Sequence, residues 1–489
     1  MSRGIRLLTG IHADSVVQLL GSRTMREQPG VEWATAAMAT PTTLETLREE
    51  GFTDDALSTA DVYDVVLAVR AADEQAVEAA LDAGYSAMFS TQAAAPTEQS
   101  PVRTLERAVA RTPGSDVAVI SVPGEYAAMQ AHKALTAGLD VLLFSDNVSV
   151  EEEIELKDRA AALGRLVMGP GAGTAFLNGT GLGFANAVRP GRVGVVAAAG
   201  TGAQEVMCLL DRWGAGISSV IGLGGRDLTE AVGGRMARQA IQRLCADDGT
   251  DVAVLVSKPP APQVARDVIE TAGDHPLVAV LVGLRDELDV PPNVRIARTL
   301  EEGALTTLDL LALPRPELPT PSGRAEPGRT AIRGLFSGGT LCYESQVILA
   351  DVFGPVHSNA PLDKSLRLPY PQGASACLDL GEEEYTRGRP HPMIDPEARA
   401  EILREQGADE TVAVILLDVV LGYGSHPDPA GTLAPICAEI TGPQIVAYCL
   451  GTDADPQNLQ AQRQKLRDAG CIVTETAARA SFTAAAMLA

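Results

Sequence analysis

The chain has 489 residues, a formal charge of −24 and only 4% aromatic residues. The length predicts about three or four domains, and the acidic balance argues against nucleic acid and anionic membrane surfaces as partners. It does not exclude small anions, which helix termini bind locally. The seven cysteines form no C-x-x-C pair and no metal-ligand spacing, so we expect free thiols, a reducing compartment and no metal. No apolar run approaches the roughly 20 residues that span a bilayer, which predicts a soluble, cytoplasmic protein.

The first part of the chain, from residue 4 to about residue 87, alternates predicted strands with predicted helices. The strands are "GIRLLTG", "VEWATAAMA" and "DVVLAVRA", and the helices are "DSVVQLLGSRTMRE", "PTTLETLREEG" and "EQAVEAALDAGY". We interpret this order as a small βαββαβ module. The polar segment "STQAAAPTEQSP" follows as a linker and predicts a domain boundary near residue 100.

Four later segments share one design, an apolar strand that ends in a turn of small or polar residues. They are "DVAVISVPGEY" (116–126), "RVGVVAAAGTG" (192–202), "DVAVLVSKPP" (251–260) and "TVAVILLDVVLGYG" (411–424). Ligands of open α/β sheets bind at the carboxyl ends of the strands. Functional residues are therefore expected near 122–126, 200–204, 257–258 and 422–426.

The turn Gly200-Thr201-Gly202 precedes a segment whose apolar residues, from Val206 to Trp213, have helical periodicity. The two glycines let backbone N–H groups approach a ligand closely, and the helix dipole favours an anion at this end. Thr201 adds a hydroxyl group. A short glycine turn of this kind fits an anion site and a plain tight turn about equally well.

A proline-rich linker, "LPRPELPTPSGRAEPGRT" (313–330), divides the chain into a larger N-terminal part and a C-terminal part. The C-terminal part begins with "IRGLFSGGTLCYES", another strand, glycine turn and helix. Its turn predicts a further backbone anion nest and a substrate-binding segment, formed by Ser337, Gly338, Gly339 and Thr340. Anion candidates on both sides of the linker suggest that the two parts close around a shared ligand.

Two histidines are candidates for function. His426 follows a glycine turn beside Asp428, where it would bond phosphate or transfer a proton, and the alternative is a solvated residue at a helix N-terminus. His391 and Asp395 lie between prolines in "GRPHPMIDP". The prolines forbid a regular helix and indicate an ordered loop, with either a substrate-binding or a bracing role.

Three further side chains are candidates near predicted strand ends. Lys258 precedes two prolines and would either reach an anion or remain a solvated strand end. Arg226, in "GLGGRDL", is a candidate bidentate clamp for a carboxylate, with Asp227 beside it in the substrate site; the alternative is a surface Arg–Asp pair. Cys342 would be a nucleophile only if its helix position lowered the pKa, and a buried inert thiol is the commoner case.

Three long segments resemble the succinyl-CoA synthetases. "RVGVVAAAGTGAQEVMCLL…ISSVIGLGGRDLTEAVGG" is similar to the flavodoxin-like ligase half of the α subunit. "SVPGEYAAMQAHKALTAGLDVLLFSDNVSVEEEIELKDRAAALGRLVMGPGAGTA" resembles the second half of that subunit's CoA-binding Rossmann domain. "ACLDLGEEEYTRGRPHPMIDPEARAEILREQGADETVAVILLDVVLGYGSHPDPA" resembles the C-terminal ligase domain of the β subunit. With "GLFSGGTLCYES", this single-chain arrangement is similar to the FdrA family over about residues 100 to 489.

The resemblance implies an α/β, multi-domain fold with Rossmann-like and flavodoxin-like parallel sheets of the succinyl-CoA synthetase type. It divides the chain into the N-terminal module (1–100), a CoA-binding-like Rossmann domain (101–190), an α-like flavodoxin domain (191–315) and a β-like ligase domain (316–489). It also implies that two helix N-termini grip a phosphoryl group. By position they fall on Gly200, Thr201 and Gly202, and on Gly422, Gly424, Ser425 and His426.

Three features of the synthetases have no match in the sequence: the ATP-grasp domain, the glycine-rich CoA loop and the G-H-A-G stretch of the phosphorylated histidine, for which His275 is only a remote substitute. We therefore expect phosphate as a substrate and no cofactor. FdrA relatives imply an oxamate carbamoyltransferase-like reaction of allantoin degradation, in which oxalurate and phosphate give oxamate and carbamoyl phosphate. Arg226 or Lys258 would hold the substrate carboxylate, and His426 would assist proton transfer.

Two alternatives to the carbamoyl transferase remain open. The first is an acyl-CoA synthetase component that works with a separate ATP-grasp subunit. The second is a non-catalytic scaffold or regulatory subunit. The resemblance further implies a homo-oligomer or a complex with other subunits of the same pathway, acting on a small anionic substrate.

Overall fold

A computed structural model describes residues 1–489 except 12, 14, 54, 90–101, 103, 286, 387–389 and 489. The predicted linker "STQAAAPTEQSP" (90–101) lies outside the described residues. The chain forms two compact units. One comprises Met1–Pro101 with Thr386–Pro390, and the other comprises Val102–Tyr385 with His391–Ala489. No helix among the described residues is both long and apolar enough to cross a membrane.

The first unit is a three-stranded antiparallel sheet with helices on both faces. Its elements are β1 (Ser2–Leu8), α1 (Ser15–Arg26), β2 (Val31–Met38), α2 (Pro41–Glu49), β3 (Val65–Ala71) and α3 (Glu74–Phe89). β3 lies between β1 and β2, and its apolar residues are buried because helices cover both faces. The predicted βαββαβ order is therefore wrong: the described residues give βαβαβα. The segment after β2 forms α2, since Thr40 caps the helix and Pro41 occupies its first turn.

The second unit begins with α4 (Leu105–Arg111) and a three-stranded parallel sheet in the order β4-β5-β6. Its elements are β4 (Val117–Ile120), α5 (Gly124–Thr136), β5 (Asp140–Leu143), α6 (Val150–Ala162) and β6 (Val167–Met168). Ser149 and Glu152 form a capping box at the start of α6.

A seven-stranded sheet follows in the order β13-β12-β11-β9-β10-β7-β8. Its elements are β7 (Thr174–Leu177), β8 (Thr180–Gly183), β9 (Pro190–Ala197), α7 (Gly200–Arg212), β10 (Ile217–Gly222), α8 (Arg235–Cys245), β11 (Val252–Ser257), α9 (Pro262–Glu270), β12 (Leu277–Leu281), β13 (Val294–Ala297) and α10 (Leu300–Leu310). The strands from β13 to β10 are parallel, and the hairpin of β7 and β8 extends the sheet in the antiparallel sense.

The last sheet has five parallel strands in the order β15-β14-β16-β17-β18. Its elements are β14 (Ala331–Phe336), α11 (Gly339–Phe353), β15 (Ala376–Asp379), α12 (Glu383–Thr386), α13 (Glu397–Ala408), β16 (Val412–Val420), α14 (Pro429–Glu439), β17 (Gln444–Leu450), α15 (Leu459–Asp468), β18 (Ile472–Thr474) and α16 (Ala477–Leu488). Every residue of β16 is buried, as expected for a parallel strand covered on both faces.

The seven-stranded and five-stranded sheets share one hydrophobic core, to which α7, α11 and α16 contribute. Within it the hydroxyl of Tyr448 donates to the buried carboxylate of Glu205 over 2.5 Å, joining β17 to α7. The predicted multi-domain α/β architecture with parallel sheets is confirmed, apart from the strand order of the N-terminal module. The shared core places the first turns of α7 and α11 side by side.

Candidate active site

The N-termini of α7 and α11 meet within the second unit. The backbone N–H of Thr340 donates to Oγ1 of Thr201 over 3.2 Å. A Cβ atom on Gly202 would lie 2.9 Å from Cγ2 of Thr340, and one on Gly338 would lie 3.0 Å from Cγ2 of Thr201. These two positions are glycine because any side chain would push the helix ends apart.

The start of α7 is open, whereas the start of α11 is occupied by acceptors of the protein itself. Ala199 is the N-cap residue of α7, no side chain in the described part of the chain caps the helix, and Gly200 is exposed. At α11, the carboxylate of Asp418 accepts from the backbone N–H groups of Ser337 and Gly338, each over 2.8 Å. An uncapped N-terminus with exposed backbone favours an anion. Gly200, Thr201 and Gly202 therefore remain the candidate anion site of this region.

The predicted anion nest of Ser337, Gly338, Gly339 and Thr340 is corrected by the structure. Its N–H groups at 337 and 338 bond Asp418, and the one at 340 bonds Thr201. Asp418 is itself held by Arg399, whose Nη1 lies 2.8 Å from its Oδ1 in a pair shielded from solvent. The segment 337–340 therefore positions the two helix ends. Its glycines leave space for the side chains of Thr201 and Asp379 rather than for a ligand.

The second arm of the predicted phosphate cradle is also wrong. The turn of Gly422, Gly424, Ser425 and His426 does not begin a helix, because α14 starts at Pro429 and the carboxylate of Asp428 caps it. A carboxylate at that position repels phosphate. The turn instead packs on the segment after β8, where the N–H of Tyr423 donates to the carbonyl of Ala185 over 2.7 Å. The helix end that faces α7 is that of α11.

His426 is tied to two neighbouring segments, since its backbone carbonyl accepts from Nε2 of Gln457 over 3.2 Å. The backbone N–H of His426 donates to the carbonyl of Met393 over 2.8 Å, and its Nδ1 accepts from the N–H of Asp428 over 3.1 Å. The hydroxyl of Ser425 is buried with no hydrogen-bond partner in the described part of the chain. These contacts give His426 a bracing position in the loop, and its predicted role in proton transfer stays a prediction.

Asp379, the last residue of β15, is a site residue that the sequence reasoning missed. It is buried, and a Cβ on Gly339 would lie 2.5 Å from its Oδ2, so the carboxylate sits against the first turn of α11. Burial, with a smaller contribution from Glu382, raises the pKa of Asp379 to about 7 against the opposing charge of Lys258. A carboxyl group that is half ionised at neutral pH is suited to proton transfer.

His391 faces the same small space as Asp379. A Cβ on Gly381 would lie 2.6 Å from Nε2 of His391 and 3.3 Å from Oδ1 of Asp379. Burial lowers the pKa of His391 to about 4, so the ring is neutral at pH 7. Because the N–H of Met393 donates to Nδ1 over 3.2 Å, we assign the proton of the neutral ring to Nε2. The structure therefore directs a hydrogen-bond donor into this space.

Lys258 follows β11 and is half-buried beside α11. Its Nζ lies 5.3 Å from the centroid of the Tyr343 ring, and its charge opposes the raised pKa values of Asp379 and Cys342. Burial holds the pKa of Cys342 well above its ordinary value, which leaves an inert thiol. Lys258 therefore lies beside α11 and close to Asp379, its role in the site stays a prediction, and the nucleophilic alternative for Cys342 is wrong.

Arg226 and Asp227 belong to an internal ion-pair network, not to the site. Nζ of Lys157 lies 2.8 Å from Oδ1 of Asp227 and 2.6 Å from Oε1 of Glu153, and none of the three side chains is exposed. Arg226 lies 2.9 Å from Oε2 of Glu153 and donates to the carbonyl of Val148. The predicted carboxylate clamp is therefore corrected: these side chains join α6 to the segment before α8.

Two family models match parts of the chain. A model described as CoA-ligase matches residues 335–487, and one described as AllF, heavy metal-associated domain, matches residues 1–103. The first range contains α11, Asp379, His391 and Asp418. Half of the candidate site therefore lies in a CoA-ligase-like domain.

The chain is also similar to individual proteins over all or part of its length. YahF of Escherichia coli (strain K12) is 38% identical over 99% of this chain and 98% of its own length. Subunit alpha 2 of the ADP-forming succinate–CoA ligase of Archaeoglobus fulgidus is 28% identical over 43% of this chain and 72% of its own. Among solved structures, the dinucleotide-forming acetyl-coenzyme A synthetase 1 of Ca. Korarchaeum cryptofilum aligns over 78% of this chain and 83% of its own, with 16% identity and a TM-score of 0.33.

The N-terminal module does not fit the heavy-metal ion that the matched description names. Residues 1–103 contain no cysteine and one histidine, His12, which lies outside the described residues. Soft metal ions select thiolate ligands, which this module cannot supply. Across the described part of the chain, no group of three or more His, Cys, Asp or Glu side chains is placed to hold a metal ion. The side chains of the module therefore do not fit a thiolate-bound metal ion.

Proposed function

Since the chain belongs to the FdrA/succinyl-CoA synthetase-like family, we propose that it is an acyl-transfer enzyme that binds phosphate at the start of α7. The observation that carries the proposal is the open, exposed N-terminus of α7, which meets α11 beside the buried Asp379. Backbone N–H groups and the helix dipole would hold the phosphate oxygens. Lys258 supplies a positive charge at the same edge of the site.

The proposed reaction is the attack of an acceptor on the carbonyl carbon of an acyl phosphate. The bond from the acceptor atom to carbon forms, the bond from carbon to the phosphate oxygen breaks, and phosphate leaves with that electron pair. The acceptor's proton passes to the carboxylate of Asp379. The Nε2–H of His391 donates to the oxyanion of the tetrahedral intermediate. In the opposite direction phosphate attacks the acyl compound and Asp379 returns the proton.

Two acceptors fit this scheme. The CoA-ligase model and the succinate–CoA ligase relatives support the thiol of CoA, with a separate ATP-grasp subunit that forms the acyl phosphate. The second acceptor is oxamate, which takes the carbamoyl group of carbamoyl phosphate; the reverse reaction transfers that group from oxalurate to phosphate. The absence of a G-H-A-G stretch and of the CoA loop from the sequence supports this candidate. Lys258 would hold the substrate carboxylate. A complex with further subunits is part of the first scheme only.

Phosphorus NMR on the purified chain tests both schemes without any ATP-dependent step. One sample contains carbamoyl phosphate and oxamate, and the other contains acetyl phosphate and CoA. Phosphate release that requires oxamate establishes carbamoyl transfer, and release that requires CoA establishes the synthetase type. Release in neither sample, with phosphate failing to broaden on addition of the chain, contradicts the proposed site and favours the scaffold alternative.

Thr201→Val should raise the KM for phosphate about tenfold, because the N–H of Thr340 loses its acceptor and the two helix ends separate. Thr201→Ser keeps the hydroxyl and should restore the KM to within about twofold. Initial rates at varied phosphate concentration give both values. A KM that is equal in the Val and Ser variants would show that this hydrogen bond does not position the site.

Gly381→Ala should lower kcat about tenfold or more, because the added methyl group falls 2.6 Å from Nε2 of His391 and displaces the ring from the reacting groups. The histidine signals of nitrogen-15 NMR spectra would report the displaced ring directly. Gly225→Ala is the matched control, since a Cβ there meets no atom within 4 Å. Equal kcat values for the two variants would remove His391 from the mechanism.

A further inference from the structure

The three-stranded sheet of the first unit has two edge strands, and side chains of α1 close one of them. Oγ of Ser22 accepts from the N–H of Ala36 over 2.8 Å at the outer edge of β2. Oε1 of Gln18 accepts from the N–H of Met38 over 3.2 Å further along the same edge. The pairing of β2 with β3 is also irregular near its start. Bonded edges and bulged registers both hinder the pairing of an edge strand with another chain, so β2 is protected.

The other edge strand, β1, has no such protection. It pairs with β3 in a regular antiparallel register over its seven residues, Ser2–Leu8. Within the described part of the chain, no hydrogen bond joins the backbone of β1 to a group outside β3. A regular edge strand with free N–H and C=O groups is a template for the addition of a further strand. The β1 edge of the sheet is therefore open.

The apolar side chains of β1 are partly exposed at this open edge. Ile5 and Leu7 pack on the core beneath α2, and Leu8 packs on the core beneath α1 and α3. All three are half-buried, whereas every apolar residue of β3, which has a strand on each side, is buried. A strand beside β1 would cover these side chains and provide them with cross-strand contacts.

The charge of Arg6 does not obstruct the open edge. Nη2 of Arg6 lies 2.8 Å from Oδ1 of Asp82 and 3.4 Å from Oε2 of Glu78, and both carboxylates belong to α3. The side chains of a strand stand roughly perpendicular to the sheet, and this one is held against the helix that covers it. A strand can therefore approach β1 in the plane of the sheet without meeting the guanidinium group.

The sequence of β1, SRGIRLL, is complementary to itself when two copies run antiparallel. Ile5 is the middle residue, so full overlap places it opposite the same residue of a second copy. Arg3 then lies opposite Leu7. Arg6 lies opposite Gly4, which has no side chain to meet it. Registers centred on Arg3 or Arg6 would instead oppose two like charges, which destabilises a strand pair. The register that pairs the most residues therefore also avoids charge repulsion.

We propose that β1 is an interaction surface and that its partner is β1 of a second copy of this chain. The two three-stranded sheets would join around a two-fold axis at Ile5 into one continuous antiparallel sheet. Such a contact uses the same surface on both copies, which agrees with the self-complementary sequence of the strand. The inference concerns the first unit alone and does not rest on the proposed function, whose residues lie in the second unit.

Sedimentation equilibrium of the full chain should show a reversible dimer. Ile5→Lys should raise its dissociation constant at least about tenfold, because two ammonium groups then oppose each other on the axis. Leu20→Lys is the matched control, since Leu20 is an apolar residue of α1 in the same unit and is 44% exposed. It should leave the dissociation constant unchanged. A wild-type chain that sediments as a monomer, or a dimer that Ile5→Lys does not weaken, would overturn the proposal.

Oxidative cross-linking tests the register and does not depend on the folding of Ile5→Lys. In Ile5→Cys the two new thiols would face each other with Cα atoms about 4.5–5.5 Å apart, which a disulfide can bridge. Oxidised glutathione should therefore give a covalent dimer on a non-reducing gel. Ser2→Cys is the control, because its two thiols would be about 20 Å apart along the strands. Equal cross-linking in the two variants, or none in Ile5→Cys, contradicts the proposed pairing. The wild type, whose seven cysteines all lie outside the first unit, reports any background.

Discussion

Asp379→Asn should lower the rate of acyl transfer about 100-fold or more at pH 8, while making the folded protein more stable at the same pH. The loss of rate follows because an amide cannot accept the proton of the acceptor. The gain in stability follows from burial, which raises the folded-state pKa of Asp379 from 3.8 to about 7. The free-energy penalty for burying the ionised carboxylate of Asp379 is absent well below pH 3.8, grows as pH rises to about 7, and is constant above that.

The two effects are measured separately. Thermal unfolding at pH 4 and pH 8 should show a stabilisation by the Asn variant that is present at pH 8 and nearly absent at pH 4. Rate profiles of the wild type should rise through about pH 7, and the Asn variant should lose this rise. Asp351→Asn is the control, because Asp351 lies on α11 with an exposed side chain and a 3.6 Å ion pair to Arg285. A variant that keeps both the rate and the pH profile would exclude Asp379 as the proton acceptor.

Lys157→Met should destabilise the second unit by about 3–5 kcal/mol, because it leaves the buried carboxylate of Asp227 without its cation and that of Glu153 with Arg226 alone. Glu153 and Asp227 lie 2.6 Å and 2.8 Å from Nζ of Lys157, and all three side chains are fully buried. Asp227 also accepts from the N–H groups of Met236 and Ala237, so the start of α8 depends on the same charge. Methionine keeps the length of the side chain, which limits the effect to the lost charge and hydrogen bonds.

Urea unfolding followed by Trp213 emission in a Trp33→Phe background reports on the second unit and gives the change in midpoint. Arg235→Gln is the control, since Arg235 forms an exposed ion pair of 2.8 Å with Asp158 in the same region and should contribute less than about 1 kcal/mol. If both variants unfold at the wild-type urea concentration, the network does not stabilise the unit.

The sequence was informative wherever local pattern determines structure. Continuous apolar runs such as the one around β16 predicted buried parallel strands, because both faces of such a strand are covered. The glycine turn at 200–202 predicted the start of α7 and the candidate anion site, because both follow from the glycines and the helical segment directly after them. The predicted βαββαβ order of the N-terminal module was wrong. That order needs four strands, whereas the module has three strands that alternate with three helices.

The sequence did not show which distant residues these local features contact. The bond between Thr201 and Thr340 joins residues 139 positions apart, and only the packing of two sheets decides that α11 rather than the turn at 422–426 faces α7. Asp227 looked like a surface pair or a clamp because its partner, Lys157, lies 70 positions away. The available signal for Asp379 was an acidic residue at the end of an apolar strand in "SACLDLG", a pattern that the strand-end rule covers.

The position of α16 has a consequence for the synthesis of the chain. Its residues Ala480, Ala484 and Met487 belong to the core shared by the two large sheets, and the N–H of Ala477 donates to Glu205 of α7 over 3.3 Å. Because α16 is translated after every strand of both sheets, the nascent chain exposes the apolar core surface that α16 covers throughout the synthesis of the five-stranded sheet. The nascent chain therefore offers chaperones a long interval for capture, which closes only when α16 emerges.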